Sequence, residues 1–212
     1  PISPTSDTTK HFLGTEEWNW LRGELLKPAK VRIVMTSTQM LHQHNGYESW
    51  TNYPHELHRF FNLINETRAE GIFMVSGDVH WAELSMQKPA GLYNLYDMTS
   101  SGLNQVEDSP KPNIYRVGTA LQELNYGMIN IDWNSSPISI NLQIYNKKNQ
   151  VKIEKTIPLL KSYNVFNLDQ TSIELENEDL KNDIKIEDFI SNLNIEIKNS
   201  SEAFYSPKND YV

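Results

Sequence analysis

The sequence predicts a mixed α/β protein whose second part is built from strands alone. Three observations carry this. Two stretches in the first 70 residues repeat apolar side chains at helical spacing, each followed by a short β-rich run. Residues 138–144 alternate apolar and polar strictly. Turn-forming clusters then punctuate the chain near 134–137 and 146–149.

Taken in order, Thr15 followed by Glu16 and Glu17 reads as a helix start, with a capping hydroxyl and two carboxylates at the positive end of the helix dipole. Trp18, Leu21 and Leu25 recur at helical spacing until Pro28. Val31 to Thr36 is a short β-rich run, the first buried strand, and residues 37–53 are a long loop rich in His, Asn and aromatics. Pro54 suits the first turn of a second helix, where its missing N–H costs nothing. Leu57, Phe60, Phe61 and Ile64 form its apolar stripe, Gly71 ends it, and Ile72 to Val75 is the next strand. Beyond it Leu92–Thr99, Tyr126–Trp133, Ile138–Tyr145 and Val151–Ile157 read as strands. The alternation of Ile138, Ile140, Leu142 and Ile144 puts one face of the third of these into a core.

The 212 residues, 38% hydrophobic, suffice for a real core. Charge divides the chain. Residues 1–160 carry 14 Lys and Arg against 16 Asp and Glu, whereas 161–212 carry 5 against 11. All five Arg precede position 117, and four of the five Trp precede 82. We therefore divide the chain into a structured domain, 1–160, and an acidic polar extension, 161–212. The extension has a weak helical pattern at Ile186, Phe189, Ile190 and Leu193 and is expected to pack poorly, because it buries too little apolar surface to offset its ordering entropy. A net charge of −8 gives no general affinity for nucleic-acid phosphates. No apolar run is long enough to span a bilayer as a helix. The absence of Cys excludes a disulfide scaffold, a Cys-ligated zinc and a thiol nucleophile.

Chemistry concentrates at Ser76-Gly77-Asp78-Val79-His80-Trp81, just past a short apolar strand, where ligand sites of layered α/β folds lie. Gly77 permits an abrupt bend. If the backbone then stays extended, Asp78 and His80 point to one side, an oxygen and nitrogen pair suited to a transition metal or to positioning a phosphate. The competing reading is a turn Asp capping local amides, with the His packed on Trp81. Thr36-Ser37-Thr38-Gln39 again follows a strand. His42 and His44 have chelating spacing, but their loop setting favours solvated side chains. Glu48 and Trp50 precede Asn52-Tyr53-Pro54, and their structural reading is a core plug for Trp50 and a cap or an Arg59 partner for Glu48. There is no Gly-rich phosphate loop, Gly-x-Ser-x-Gly elbow or His-Glu-x-x-His helix.

Together these segments resemble the carboxyl-terminal half of the PhoD-like (alkaline phosphatase D) family of metallophosphoesterases. The matching pieces are Leu13-Gly14 with Glu17-Trp18 and Trp20-Leu21; Ser37-Thr38-Gln39; His44 with Glu48-Ser49-Trp50 and Asn52-Tyr53-Pro54-His55-Glu56; the run from Ser76 to Ser85; Tyr96-Asp97 with Thr99-Ser100-Ser101-Gly102-Leu103; and Asn125-Tyr126-Gly127. The resemblance covers about 13–133. It implies half of a four-layer α/β/β/α sandwich that hydrolyses phosphate mono- or diesters with bound metal ions, which are iron, calcium, zinc or manganese. Asp78 and His80 fall on the family's last metal motif and take metal roles. Gln39, Glu48 and Trp50 take substrate or supporting roles. The earlier ligands of the family come from an amino-terminal half that nothing in Pro1 to Phe12 matches, so this chain is expected to be incomplete and inactive alone, with one apolar sheet face uncovered. The family is often exported, which suggests a secreted or periplasmic protein. Two alternatives compete: a non-catalytic half-domain serving as a binding or structural module, and a β-sandwich binder built from residues 82–158.

Overall fold

The structure, a computed structural model, describes residues 3–159; the extension at 161–212, with its expected poor packing and helical pattern, lies outside the described residues. In chain order the elements are α1 (Thr15–Leu26), β1 (Arg32–Met35), a 3₁₀ turn (Trp50–Asn52), α2 (Pro54–Thr67), β2 (Ile72–Ser76), β3 (Ala82–Gln87), β4 (Leu95–Ser100), β5 (Asn125–Asp132), β6 (Ser139–Asn146) and β7 (Val151–Pro158).

Both helices form where their periodicity places them. Thr15 is the first helical residue of α1, with Gly14 in the cap position, and the helix buries Trp18 and Leu25. Pro54 opens α2, which buries Glu56, Leu57, Phe60, Leu63 and Ile64. The end of α2 differs from expectation. Arg68, not Gly71, turns left-handed at φ 51°, with its N–H on Asn65 O and that of Ala69 on Ile64 O. Gly71 (φ 67°) instead leads into β2, in a place too tight for any side chain: a Cβ there would collide with the Lys30 carbonyl oxygen.

The first sheet has the order β1-β2-β4-β3. β1, β2 and β4 run parallel, and β3 returns antiparallel on β4. β3 is not among the expected strands, although Glu83 and Ser85 alternate with Ala82, Leu84 and Met86 at the strand period, because Ala82 and Glu83 have low β propensity. The second sheet is an antiparallel meander, β5-β6-β7.

Two cores flank the first sheet. On one face Ile72, Met74 and Leu95 pack against Trp18, Leu57, Phe60 and Ile64 of the helices. On the other, Phe73, Leu84, Tyr96 and Met98 meet Ile140, Leu142, Ile144 and Ile157 of the second sheet. Each such fully buried side chain contributes roughly 1.5–3 kcal/mol by area. The described residues thus form an α/β fold of three layers: helices, sheet, sheet. The fourth, helical layer implied by the resemblance is not among them. Nor is the outward face of the second sheet apolar. Asn141 donates to Glu154 (3.1 Å) and Thr156 (3.0 Å), Gln143 donates to Glu154 (2.7 Å), and Tyr126 stacks on Tyr145 at 5.2 Å. Met128 and Val151 are that face's exposed apolar exceptions, and β1, the open edge of the first sheet, also exposes Ile33 (44%) and Met35 (81%). No helix among the described residues is long and apolar enough to cross a membrane.

Candidate functional site

The three parallel strands end on one edge, so the segments that follow them, Thr36–Gln39, Gly77–His80 and Ser101–Gly102, gather there. The register sets the chemistry of the helix-facing side near this edge. Ser76, Thr99 and Glu83 lie side by side across β2, β4 and β3, and Asp97 and Ser85 form the next row. All five are buried. A polar layer thus replaces the apolar one found lower in the same face.

The loop after β1 closes this layer. Gln39 donates to Glu83 (2.6 Å) and Thr99 (3.0 Å), and accepts from Asn45 (2.9 Å). The backbone N–H groups of Met40 and Leu41 donate to Asp97 Oδ2 at 2.8 and 3.1 Å, and Ser76 donates to Asp97 Oδ1 at 2.7 Å. Burial raises the pKa of Asp97, and these three donors oppose the rise. Glu83 is balanced by Arg116, whose Nε donates to Oε2, while Asn113 bridges Glu83 (3.1 Å) and Ser85 (2.8 Å).

Gly77–Trp81 does not stay extended. The N–H of Val79 donates back to Gly77 O (3.0 Å), closing a γ-turn centred on Asp78, which has φ 76°, and His80 has φ 62°. The bend therefore rests on two non-glycine left-handed residues and not on Gly77. A methyl group on Gly77 would meet only ordinary contacts, at 3.7 Å from Ser37 O and 3.8 Å from Ser101 Oγ. Val79 and Trp81 are buried and anchor the turn, leaving Asp78 exposed and His80 half-buried. Neighbouring segments clamp it: His80 N–H donates to Ser101 Oγ (3.3 Å), and Glu107 N–H to His80 O (2.8 Å). The turn-and-cap reading is not what forms, since no local amide bonds to the Asp78 carboxylate. Among the described residues no hydrogen bond or ion pair engages the side chain of either Asp78 or His80. Both remain free to take a ligand.

Further unsatisfied groups lie on the same two segments. Thr38 Oγ1, His42 Nδ1, His44 Nδ1 and Trp81 Nε1 are buried without a hydrogen-bond partner among the described residues. His42 and His44 are not the solvated side chains expected of them. His42 is 2% exposed, and burial, helped by the charge of His44, lowers its pKa to about 4.

The other expected site residues are dispersed. Gln39 is held inside the polar layer. Trp50 is a core plug, 4.5 Å from Phe12 and 5.9 Å from Phe60 between ring centroids, with its Nε1 donating to Thr36 Oγ1 (2.9 Å). Glu48 is exposed and is not the partner of Arg59, which lies 4.0 Å from Glu56 and 4.5 Å over the Trp18 ring. Asp97, Glu83, Arg116 and Asn113 escaped the sequence reading as site-supporting residues. For Asp97 and Glu83 the available signal was polar residues at period two inside otherwise apolar strands; Asn113 and Arg116 lie in the connection between β4 and β5 and had none.

Asp78 and His80 offer an oxygen and a nitrogen ligand, which fits a divalent or trivalent ion in kind. They fall short in number, because no group of three potential ligands among the described residues includes either. The group of three that does exist is elsewhere, at His11, His55 and Glu56, whose ligand atoms lie within 4.8 Å of one another.

No family model matches the sequence, and no curated protein matches it. Among solved structures the chain is similar to GAP50, described as the anchor in the inner membrane complex of Plasmodium. That likeness has a TM-score of 0.54 and 14% identity, over 74% of this chain and 46% of that one. A structure of PhoD gives a TM-score of 0.49 and 16% identity, over 73% of this chain and 38% of that one. The chain thus spans less than half the length of either protein. At such identity the likeness to GAP50 speaks for a shared fold alone.

Proposed function

We propose that the edge formed by β1, β2 and β4 is one side of a metal-dependent phosphate-ester hydrolase site of the PhoD-like type, with Asp78 and His80 as metal ligands. The observation that carries this is the strained turn. Two left-handed non-glycine residues cost of order 1–3 kcal/mol each and persist at functional sites where the surroundings enforce them. Both are the residues that the motif resemblance assigns to metal, and both keep free side chains.

The metal, when bound, supplies Lewis-acid polarisation of the phosphoryl group and an activated water. This chain's part is to position. Asp78 and His80 hold the ion at the strand edge. Gln39 and Trp50 fix the loop after β1, through Glu83 and Thr36 respectively; Glu48, exposed beside Trp50, takes a substrate contact. Two protein ligands are too few for a closed centre, so the remaining ligands come from outside residues 3–159, from the amino-terminal half of the same four-layer domain. Iron, calcium, zinc and manganese all suit such a donor set, and the setting we infer is secreted or periplasmic.

A manganese titration tests this. In the chain alone, Mn²⁺ should broaden the His80 ring resonances, Asp78→Ala should abolish the effect, and aryl phosphate mono- and diesters should not turn over. No broadening at millimolar Mn²⁺, or turnover that survives His80→Ala, overturns the reading. The second reading, a non-catalytic binding or structural module, is favoured by the anchor description of GAP50 and by the exposed Ile33 and Met35. Absence of any metal effect at His80 would select it.

A further inference from the structure

We propose that His11, His55 and Glu56 form a second metal site, for zinc or a similar borderline divalent ion, which clips the segment ahead of α1 onto the first turn of α2. This inference does not depend on the proposed function. One ligand atom from each of the three side chains lies within 4.8 Å of the others. His11 Nδ1 stands 3.6 Å from Glu56 Oε1. Two ligands at about 2.0–2.1 Å from a tetrahedral zinc lie roughly 3.3–3.4 Å apart, so little movement is required.

Each ligand is already oriented. The Glu56 side chain is 2% exposed, and its Oε2 is occupied by Leu13 N–H (3.1 Å) and Trp18 Nε1–H (2.9 Å). That leaves Oε1 as the ligand atom. His55 Nε2 lies 2.9 Å from the carbonyl of Lys10, an acceptor, so Nε2 carries the proton and Nδ1 presents its lone pair. A carbonyl holding the far nitrogen of a ligating imidazole is the usual outer support of a metal site. The two imidazoles meet edge to face, with centroids 6.3 Å apart, and His11 is 55% exposed, which leaves a fourth position open to water.

Two features oppose a cation here. Arg59 Nη1 is 4.0 Å from Glu56 Oε1, and the amino terminus of α2 is the positive end of its dipole. Both act on any divalent ion alike; the choice among ions comes from the donor set, in which two imidazoles and one carboxylate suit the zinc class better than hard, oxygen-seeking ions such as magnesium.

Zinc titrated calorimetrically into the full chain at pH 7.5, with cobalt absorption as a second readout, decides the matter. Expected are a zinc equivalent retained by the Asp78→Ala/His80→Ala double variant and visible cobalt bands of four-coordinate intensity. Affinity should fall at least about tenfold in His11→Ala and in His55→Ala. Binding that survives both single variants unchanged, or no zinc binding to the chain at all, overturns the site. Should His55→Ala fail to fold, His11→Ala at its half-exposed position carries the comparison alone.

Discussion

At Asp97 Oδ2 two backbone N–H groups, from Met40 and Leu41, find an acceptor 57 and 56 residues away in the chain. Removing it leaves two buried donors and the Ser76 hydroxyl to rearrange. Asp97→Ala is expected to cost about 3 kcal/mol or more, since each unsatisfied buried donor costs roughly 1–3 kcal/mol. Urea denaturation measures it, and a loss below about 1 kcal/mol would mean that the loop stands without this carboxylate. His42 yields a pH dependence. Its folded pKa of about 4 lies below its ordinary value of 6.5, so the unfolded chain takes the proton first. The stability tied to neutral His42 is whole above pH 6.5 and is lost as pH falls toward 4, by about 3 kcal/mol in all. Unfolding free energies at pH 7.5 and 4.5 should differ less in His42→Gln than in the unmodified chain; equal differences would show that His42 titrates freely. Neither residue was legible in this role from the sequence. His42 sits among polar neighbours that imitate a solvated loop, and the partners of Asp97 lie in another segment.

Among the elements, those with strong local signals were legible. Pro54 with the stripe of Leu57, Phe60 and Ile64 marks α2, and the alternation of Ile138 to Ile144 marks β6. β3 and the 3₁₀ turn at Trp50–Asn52 were not: the turn has no period of its own, and the alternation in β3 is carried by Ala82 and Glu83, residues of low β propensity. The Gly77–His80 turn was half legible. Its place at the end of β2 follows from the sequence, but its left-handed residues do not. That conformation makes a sharp expectation possible. Asp78→Gly should raise stability by about 1 kcal/mol, because glycine adopts φ 76° without strain, whereas Asp78→Ala should give no such gain. Thermal melts of the two variants separate strain relief from loss of the carboxylate; an equal response would mean that the turn is relaxed.

For the molecule as a whole, the polar outer face of the second sheet and the open edge at β1 divide the surface unequally. Ile33 and Met35 stand on a parallel edge strand whose outer side has no strand partner among the described residues, an arrangement that invites association. Met35→Glu should reduce self-association in light scattering at high concentration while changing stability by less than about 0.5 kcal/mol. Unchanged association would place the adhesive surface elsewhere. The strand order carries a different consequence, for assembly in time. β3 is made before β4 but lies outside it, so the chain leaving β2 skips the slot beside β2. The β3–β4 hairpin is local and can zip within microseconds, while the parallel pairing of β2 with β4 must wait for a longer closure. Gly77–Trp81 is the hinge across which that hairpin swings. Asp78 and His80 therefore reach their final geometry only when the later-synthesised strand slots in, and a chain interrupted before Leu95 carries both residues on an unfastened tether.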